Sequence, residues 1–148
     1  MIDTEFYNLF EVAESRGIKP EQVVELLISN GCQIYVRFIK QMSGEMIFEG
    51  FKKVEEPTSY RIKSGKVYPL THDSRIDLVS ALSEKKDNAE LKVLINWEES
   101  ENENHGHFII KVKVNLMANL VIDYEDLRFL PPLPNIDRGL SDSDKASP

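Results

Sequence analysis

Two blocks of alternating residues constrain this chain more than any other feature in it. Leu91, Val93, Ile95 and Trp97 take every second position of one block, and Phe108, Ile110, Val112 and Val114 do the same in the other. Successive side chains of an extended strand point to opposite faces, so each block buries one face and leaves the other polar. Antiparallel strands covered on one side have this pattern, and the acidic segment from Glu98 to His105 is expected to join them as a hairpin. The apolar face of such a hairpin must be covered by other elements, and the rest of the chain offers both helices and strands.

Helix signals come first in the chain. Asn8 followed by Glu11 has the spacing of a capping box, which predicts a helix through Leu9, Val12 and Ala13 to Arg16, with Gly17 as its stop. Pro20 suits a first helical position, and Val23, Leu26 and Leu27 recur at helical spacing until Asn30-Gly31. A strand is expected over Cys32 to Ile39, rich in β-branched and aromatic residues, and a second over Met46 to Val54. Tyr60 to Tyr68 reads as a tight hairpin turning at Ser64-Gly65, flanked by Lys63 and Lys66. Thr71 and Asp73 are candidate caps for a third helix that buries Ile76, Val79 and Leu82. Tyr124 to Leu130 reads as one or two helical turns ended by Pro131-Pro132.

The expected fold class is therefore α+β: an N-terminal helix-turn-helix-like half, then antiparallel strands and a short C-terminal helix. Residues 1–134 are expected to form one compact domain, with the helix-turn-helix-like module and its strand over residues 8–39. Residues 135–148, small, charged or Pro, are expected to be a disordered tail. No apolar run approaches the roughly 18–20 residues that span a bilayer, and the early acids Asp3 and Glu5 do not suit a signal peptide, so a cytoplasmic protein without a membrane partner is expected.

Composition narrows the chemistry. A single cysteine, Cys32, excludes an intrachain disulfide and a zinc site built from several thiolates. It sits at a predicted strand start among apolar residues, where cysteine behaves as a small hydrophobe and not as a nucleophile. No phosphate-binding glycine loop, nucleophile elbow or HExxH pattern occurs, so no enzyme activity and no cofactor are expected. His105 and His107 point the same way on an extended chain, which makes them candidate metal ligands to which Glu98, Glu99, Glu101 and Glu103 could add oxygens; no preorganised partner set accompanies them, and no metal site is assigned. The net charge of −7 argues against indiscriminate attraction to phosphate backbones. Local charge differs: residues 52–75 hold six basic against three acidic side chains, interleaved with Tyr60 and Tyr68.

Ala13, Gly17 and Val23 meet the needs of a helix-turn-helix, with a small residue at the helix contact, a glycine in the turn and an apolar lock on the second helix. With Ile18, Leu26, Leu27 and Gly31, the segment from Asn8 to Val36 resembles the helix-turn-helix of the excisionase and MerR-type superfamily. Leu9 to Ala13, Ile34 to Val36, Asn119 to Ile122 and Glu125 to Leu127 resemble, more loosely, small phage and prophage proteins. The resemblance implies a transcription regulator or accessory protein that binds double-stranded DNA, with the second helix in the major groove and a hairpin wing on the backbone. On that reading Arg16, Lys19, Gln22, Lys63, Lys66 and Tyr60 contact DNA, and a homodimer would double the contacts. Glu21 and Glu25 stand where a reader of DNA presents bases. They keep a second reading open: a protein-interaction module, adaptor or inhibitor, using Glu21, Glu25 and the acidic Glu98, Glu99, Glu101 and Glu103.

Overall fold

The computed structural model describes residues 5–96 and 107–133. It opens with a short strand, β1 (Phe6–Asn8), and then two helices, α1 (Leu9–Arg16) and α2 (Pro20–Ser29). Asn8 caps α1, its Oδ1 accepting the Glu11 backbone N–H at 3.0 Å while its Nδ2 donates to the Met117 carbonyl at 2.7 Å. Gly17 closes the helix in the left-handed region at φ 71°, the position a glycine favours at a helix end. The turn into α2 is as the sequence predicts. The side chains of Leu9, Val12, Ala13, Val23, Val24 and Leu27 are buried between the two helices and the sheet beneath.

The strands that follow are β2 (Tyr35–Arg37), β3 (Met42–Glu49), β4 (Lys52–Lys53), β5 (Ser59–Ile62) and β6 (Val67–Pro69). Helix α3 (Ser74–Ser83) leads to the long pair β7 (Asn88–Asn96) and β8 (His107–Asn115), a single helical turn α4 (Leu116–Asn119), β9 (Leu120–Asp123) and a 3-10 helix (Tyr124–Phe129). Among the described residues all pairings are antiparallel. One sheet has the order β1-β9-β2-β6; the other runs β4-β3-β8-β7, with β5 also pairing β3. Leu70 bridges Val93, and the Thr71 N–H donates to the Lys92 carbonyl at 3.0 Å, so the two sheets meet edge to edge. The α+β class with antiparallel strands is thus observed, and β7 pairs β8 along its full length as the alternation predicts.

An independent helix-turn-helix half is not. The N-terminal part is led by a strand, and the sheet under α1 and α2 is completed by β9 and β6, from far along the chain. Helix α2 also packs on α3 and on the 3-10 helix, which embeds the helix pair in the common core. Four further expectations fail. The strand expected over Cys32 to Ile39 shrinks to Tyr35–Arg37, and the one over Met46 to Val54 is a hairpin of β3 and β4. The Tyr60 to Tyr68 hairpin does not form: β5 pairs β3 in one sheet and β6 pairs β2 in the other, while the Gly65 N–H donates to the Phe38 carbonyl at 2.9 Å. Both Ile62 and Tyr68 are buried, so the local turn signal yields to the larger apolar area that two separate pairings remove from water. In α3 the buried face is Ser74, Arg75, Leu78, Ala81 and Leu82, whereas Ile76 is 71% exposed. The Ser74 Oγ accepts the Lys92 N–H at 2.8 Å, which ties the first turn of α3 to β7 and sets that phase.

Candidate functional site

The candidate surface is the outward face of the second sheet. On β8 the buried residues Ile110, Val112 and Val114 point inward, so His107, Ile109, Lys111 and Lys113 point outward. The register carries that assignment across neighbours: Leu94 opposes Ile109, Lys92 opposes Lys111, and Glu90 opposes Lys113. On β3, Glu45 opposes Lys111 and Phe48 opposes Ile109, because a bulge between Met46 and Phe48 inserts one residue and turns Phe48 outward. Lys53 lies opposite Phe48, and Arg61 opposite Ser43, on the same face. Among the described residues this face holds five basic side chains, Lys53, Arg61, Lys92, Lys111 and Lys113, against two acidic ones on its strands, Glu45 and Glu90, and the Asp73 carboxylate that reaches Lys92 from its edge. A half-buried apolar row, Leu94, Ile109 and Phe48, runs across its middle.

Lys92 and Lys111 face each other directly, an arrangement that destabilises a sheet through like-charge repulsion. Each leans on a carboxylate: Lys92 Nζ lies 3.0 Å from Asp73 Oδ2, and Lys111 Nζ 3.9 Å from Glu45 Oε1. The Thr71 hydroxyl and Lys92 together hold the Asp73 carboxyl below its ordinary range. Lys53, Arg61 and Lys113 have no ion pair among the described residues. Lys113 nonetheless has Glu90 directly across from it, so Lys53 and Arg61 are the groups of this face left without an opposed carboxylate, and they make it suited to anions.

At one end of this face the β3–β4 turn carries Phe51, which is 99% exposed. Gly50 takes φ 62° and donates its N–H to the His107 carbonyl at 2.7 Å, which fixes the turn against β8. The Phe51 ring stands edge-on to the His107 imidazole, centroids 6.1 Å apart, with Lys52 and Lys53 following it in the chain. The face thus runs from an aromatic end at Phe51 and His107, through the apolar row, to a basic end at Lys111 and Lys113.

The sequence-predicted contacts fall elsewhere. Arg16 is occupied, its Nη1 donating to the Pro131 carbonyl at 2.7 Å. The Gln22 side-chain oxygen accepts the Lys19 N–H at 2.8 Å at the start of α2, so Gln22 serves as a cap. Lys19 and Glu21 line a cavity of about 750 Å³ with Phe10, Leu82, Lys85 and Met117, and Glu25 is exposed on α2. Tyr60 points inward, half-buried, its ring 5.5 Å from that of Phe108. Lys63 and Lys66 are exposed on the link between the sheets, which is not a hairpin wing. Structure therefore separates the six residues expected to form one DNA contact. Arg75, counted in the basic stretch, is buried: Nη1 donates to the Cys32 carbonyl at 2.9 Å, Nη2 meets His72 Nδ1, and Nε has no hydrogen-bond partner among the described residues. His105, Glu98, Glu99, Glu101 and Glu103 lie outside the described residues, and among those described no group of three or more His, Cys, Asp or Glu is placed to hold a metal ion.

Cys32 is buried, and burial together with the neighbouring Asp126 carboxylate pushes its thiol up to about 11. A thiol so protonated is a poor nucleophile. Burial likewise raises the Asp126 carboxyl. No helix of the described residues is long and apolar enough to cross a membrane.

The outward lysines were legible in part, since the alternation that sends Val112 and Val114 inward sends Lys111 and Lys113 out. The pairing of β3 with β8, and the bulge that exposes Phe48, carry no local signal. Comparison with protein-family models, curated proteins and solved structures returns no match to this chain.

Proposed function

We propose that this chain is a non-enzymatic nucleic-acid-binding protein that works as a regulator or accessory factor of the phage or mobile-element type, and that the outward face of the second sheet is its binding surface. The observation that carries this reading is the cross-strand register. It gathers Lys53, Arg61, Lys92, Lys111 and Lys113 on one face of a chain whose total charge is −7. Segregating basic groups from an acidic whole creates a local attractive field for phosphates while the rest of the surface repels them.

The resemblance of the α1–α2 segment to DNA-binding helix pairs is one of sequence; in the fold Gln22 is used as a cap and Glu25 is the charged group exposed beyond it. Carboxylates facing phosphates oppose binding, so the sheet face is assigned the principal contact and α2 a structural role. The test is fluorescence anisotropy of a labelled mixed-sequence oligonucleotide against rising salt. Replacing Lys53, Lys111 and Lys113 by Ala removes three phosphate contacts and lowers the salt slope of log K by about two, at roughly 0.7 per contact for a single strand. Lys63→Ala with Lys66→Ala leaves the slope unchanged. The opposite pattern assigns binding to the connector and overturns the sheet reading.

A further inference from the structure

The sheet face is not uniformly basic, and its apolar and aromatic parts distinguish between nucleic acids. Its four strand positions, from β7 through β8 and β3 to β4 or β5, span about 14 Å between outer strand axes at a spacing near 4.8 Å. The major groove of a duplex is only about 12 Å wide and admits a helix or a two-stranded ribbon. The face therefore stays outside the groove, where a duplex would offer it phosphates alone and leave Leu94, Ile109, Phe48 and Phe51 without a partner. A single strand offers both groups this face needs: unpaired bases for the apolar row and the exposed ring, and phosphates for the lysines. From His107 to Lys113 the outward track is about 20 Å long at roughly 3.3 Å per residue, with the aromatic end and the basic end in line.

Phe51 adds an independent mark. An aromatic ring 99% exposed at a hairpin tip forgoes the burial that stabilises such a side chain, and it is followed directly by Lys52 and Lys53. The Gly50–His107 hydrogen bond holds the tip in place, and the His107 ring against its edge orients it. A ring held open to solvent at the end of a face that carries Lys53 is the arrangement on which a base stacks while its phosphate is neutralised.

We infer that the sheet face binds single-stranded nucleic acid in preference to duplex, with a base stacked on Phe51 and further bases over Phe48, Ile109 and Leu94. The inference rests on the nucleic-acid reading above and deepens it. The experiment uses the full chain and a labelled single strand of about 12 nucleotides, within the usual site range of about 4–16, competed by itself and by the same sequence as a duplex. The single strand competes at least tenfold better than the duplex. Phe51→Ala weakens single-strand binding by about 5- to 100-fold and leaves the weaker duplex binding unchanged, since loss of one stacked base is worth that factor. Phe51→Trp restores binding and gives a fluorescence signal that quenches as a base stacks. Phe51 is 99% exposed and the His107 ring is its aromatic neighbour among the described residues, so these variants keep the fold. Equal competition by duplex, with Phe51→Ala neutral, overturns the single-strand inference and leaves the phosphate-binding reading standing. Failure of both probes to bind at low salt overturns both.

Discussion

Gly44 lies in β3 close against β8, and the proposed binding face depends on this approach. A Cβ added there would sit 2.6 Å from Ile110 Cγ2 and 2.9 Å from the Lys111 carbonyl oxygen, both well inside contact distance. Neither neighbour is the loose end of a flexible chain. Ile110 is fully buried, and the Lys111 oxygen belongs to the backbone ladder. Gly44→Ala therefore forces β3 away from β8 and costs about 1–3 kcal/mol, the range for overpacking a close-packed site. For a chain of this size each kcal/mol lowers Tm by roughly 3–5 °C. Urea unfolding followed by far-UV circular dichroism reads the change as a lower midpoint at constant slope. Gly50→Ala is the control: its added Cβ meets nothing within 4 Å, so any cost comes from the left-handed φ of 62° alone. A Gly44→Ala midpoint within about 0.5 kcal/mol of wild type, the ordinary range of a surface substitution, would refute the close approach and the β3 register drawn from it.

Other consequences follow from single contacts. Asn8→Ala removes the acceptor for the Glu11 N–H and the donor to Met117, and costs about 1–2 kcal/mol in the same unfolding assay. Cys32, pushed up to about 11 from 9.0, holds about a hundredfold less thiolate at pH 8 than an unperturbed thiol, so native protein alkylates at least that much more slowly than urea-unfolded protein. The Asp73 carboxyl is lowered in the fold by Thr71 and Lys92, so its contribution to stability is complete above its unfolded value near 3.8 and is lost as pH falls through the lower folded value. Asp73→Asn flattens that limb of the acid-unfolding curve, and an unchanged limb would remove the Thr71–Asp73–Lys92 cluster from the account.

What the sequence disclosed follows from the range of the forces involved. Local signals were legible: the Asn8 cap, the Gly17 stop, Pro20 at the head of α2, and the period of two in β7 and β8 all act within a few residues. The 3-10 helix before Pro131 was visible for the same reason. Non-local pairings were not. Nothing near Tyr60 announces that β5 will join β3 and β6 will join β2, because the decision lies in apolar surface brought by residues far away in the chain. The central strand β9 was missed since Leu120 to Ile122 form a continuous apolar run, buried throughout, with no alternation to mark a strand. The same limit governed the candidate site. Lys111 and Lys113 could be placed on an outward face, but their neighbours on that face, Lys53, Phe48 and Arg61, depend on register and on one bulge. Expected DNA contacts such as Arg16 and Gln22 looked free in sequence and proved to be capping or tethering groups.

The central claim is that the outward face of the second sheet binds nucleic acid and that α2 does not. Backbone amide chemical-shift mapping tests it most directly, with uniformly labelled protein titrated with a single-stranded oligonucleotide at low salt. The account predicts that the largest changes fall on Phe48, Phe51, Lys53, Ile109, Lys111 and Lys113, with Gln22 and Glu25 unmoved. Changes concentrated on Lys19, Gln22 and Glu25, with β8 silent, would contradict it.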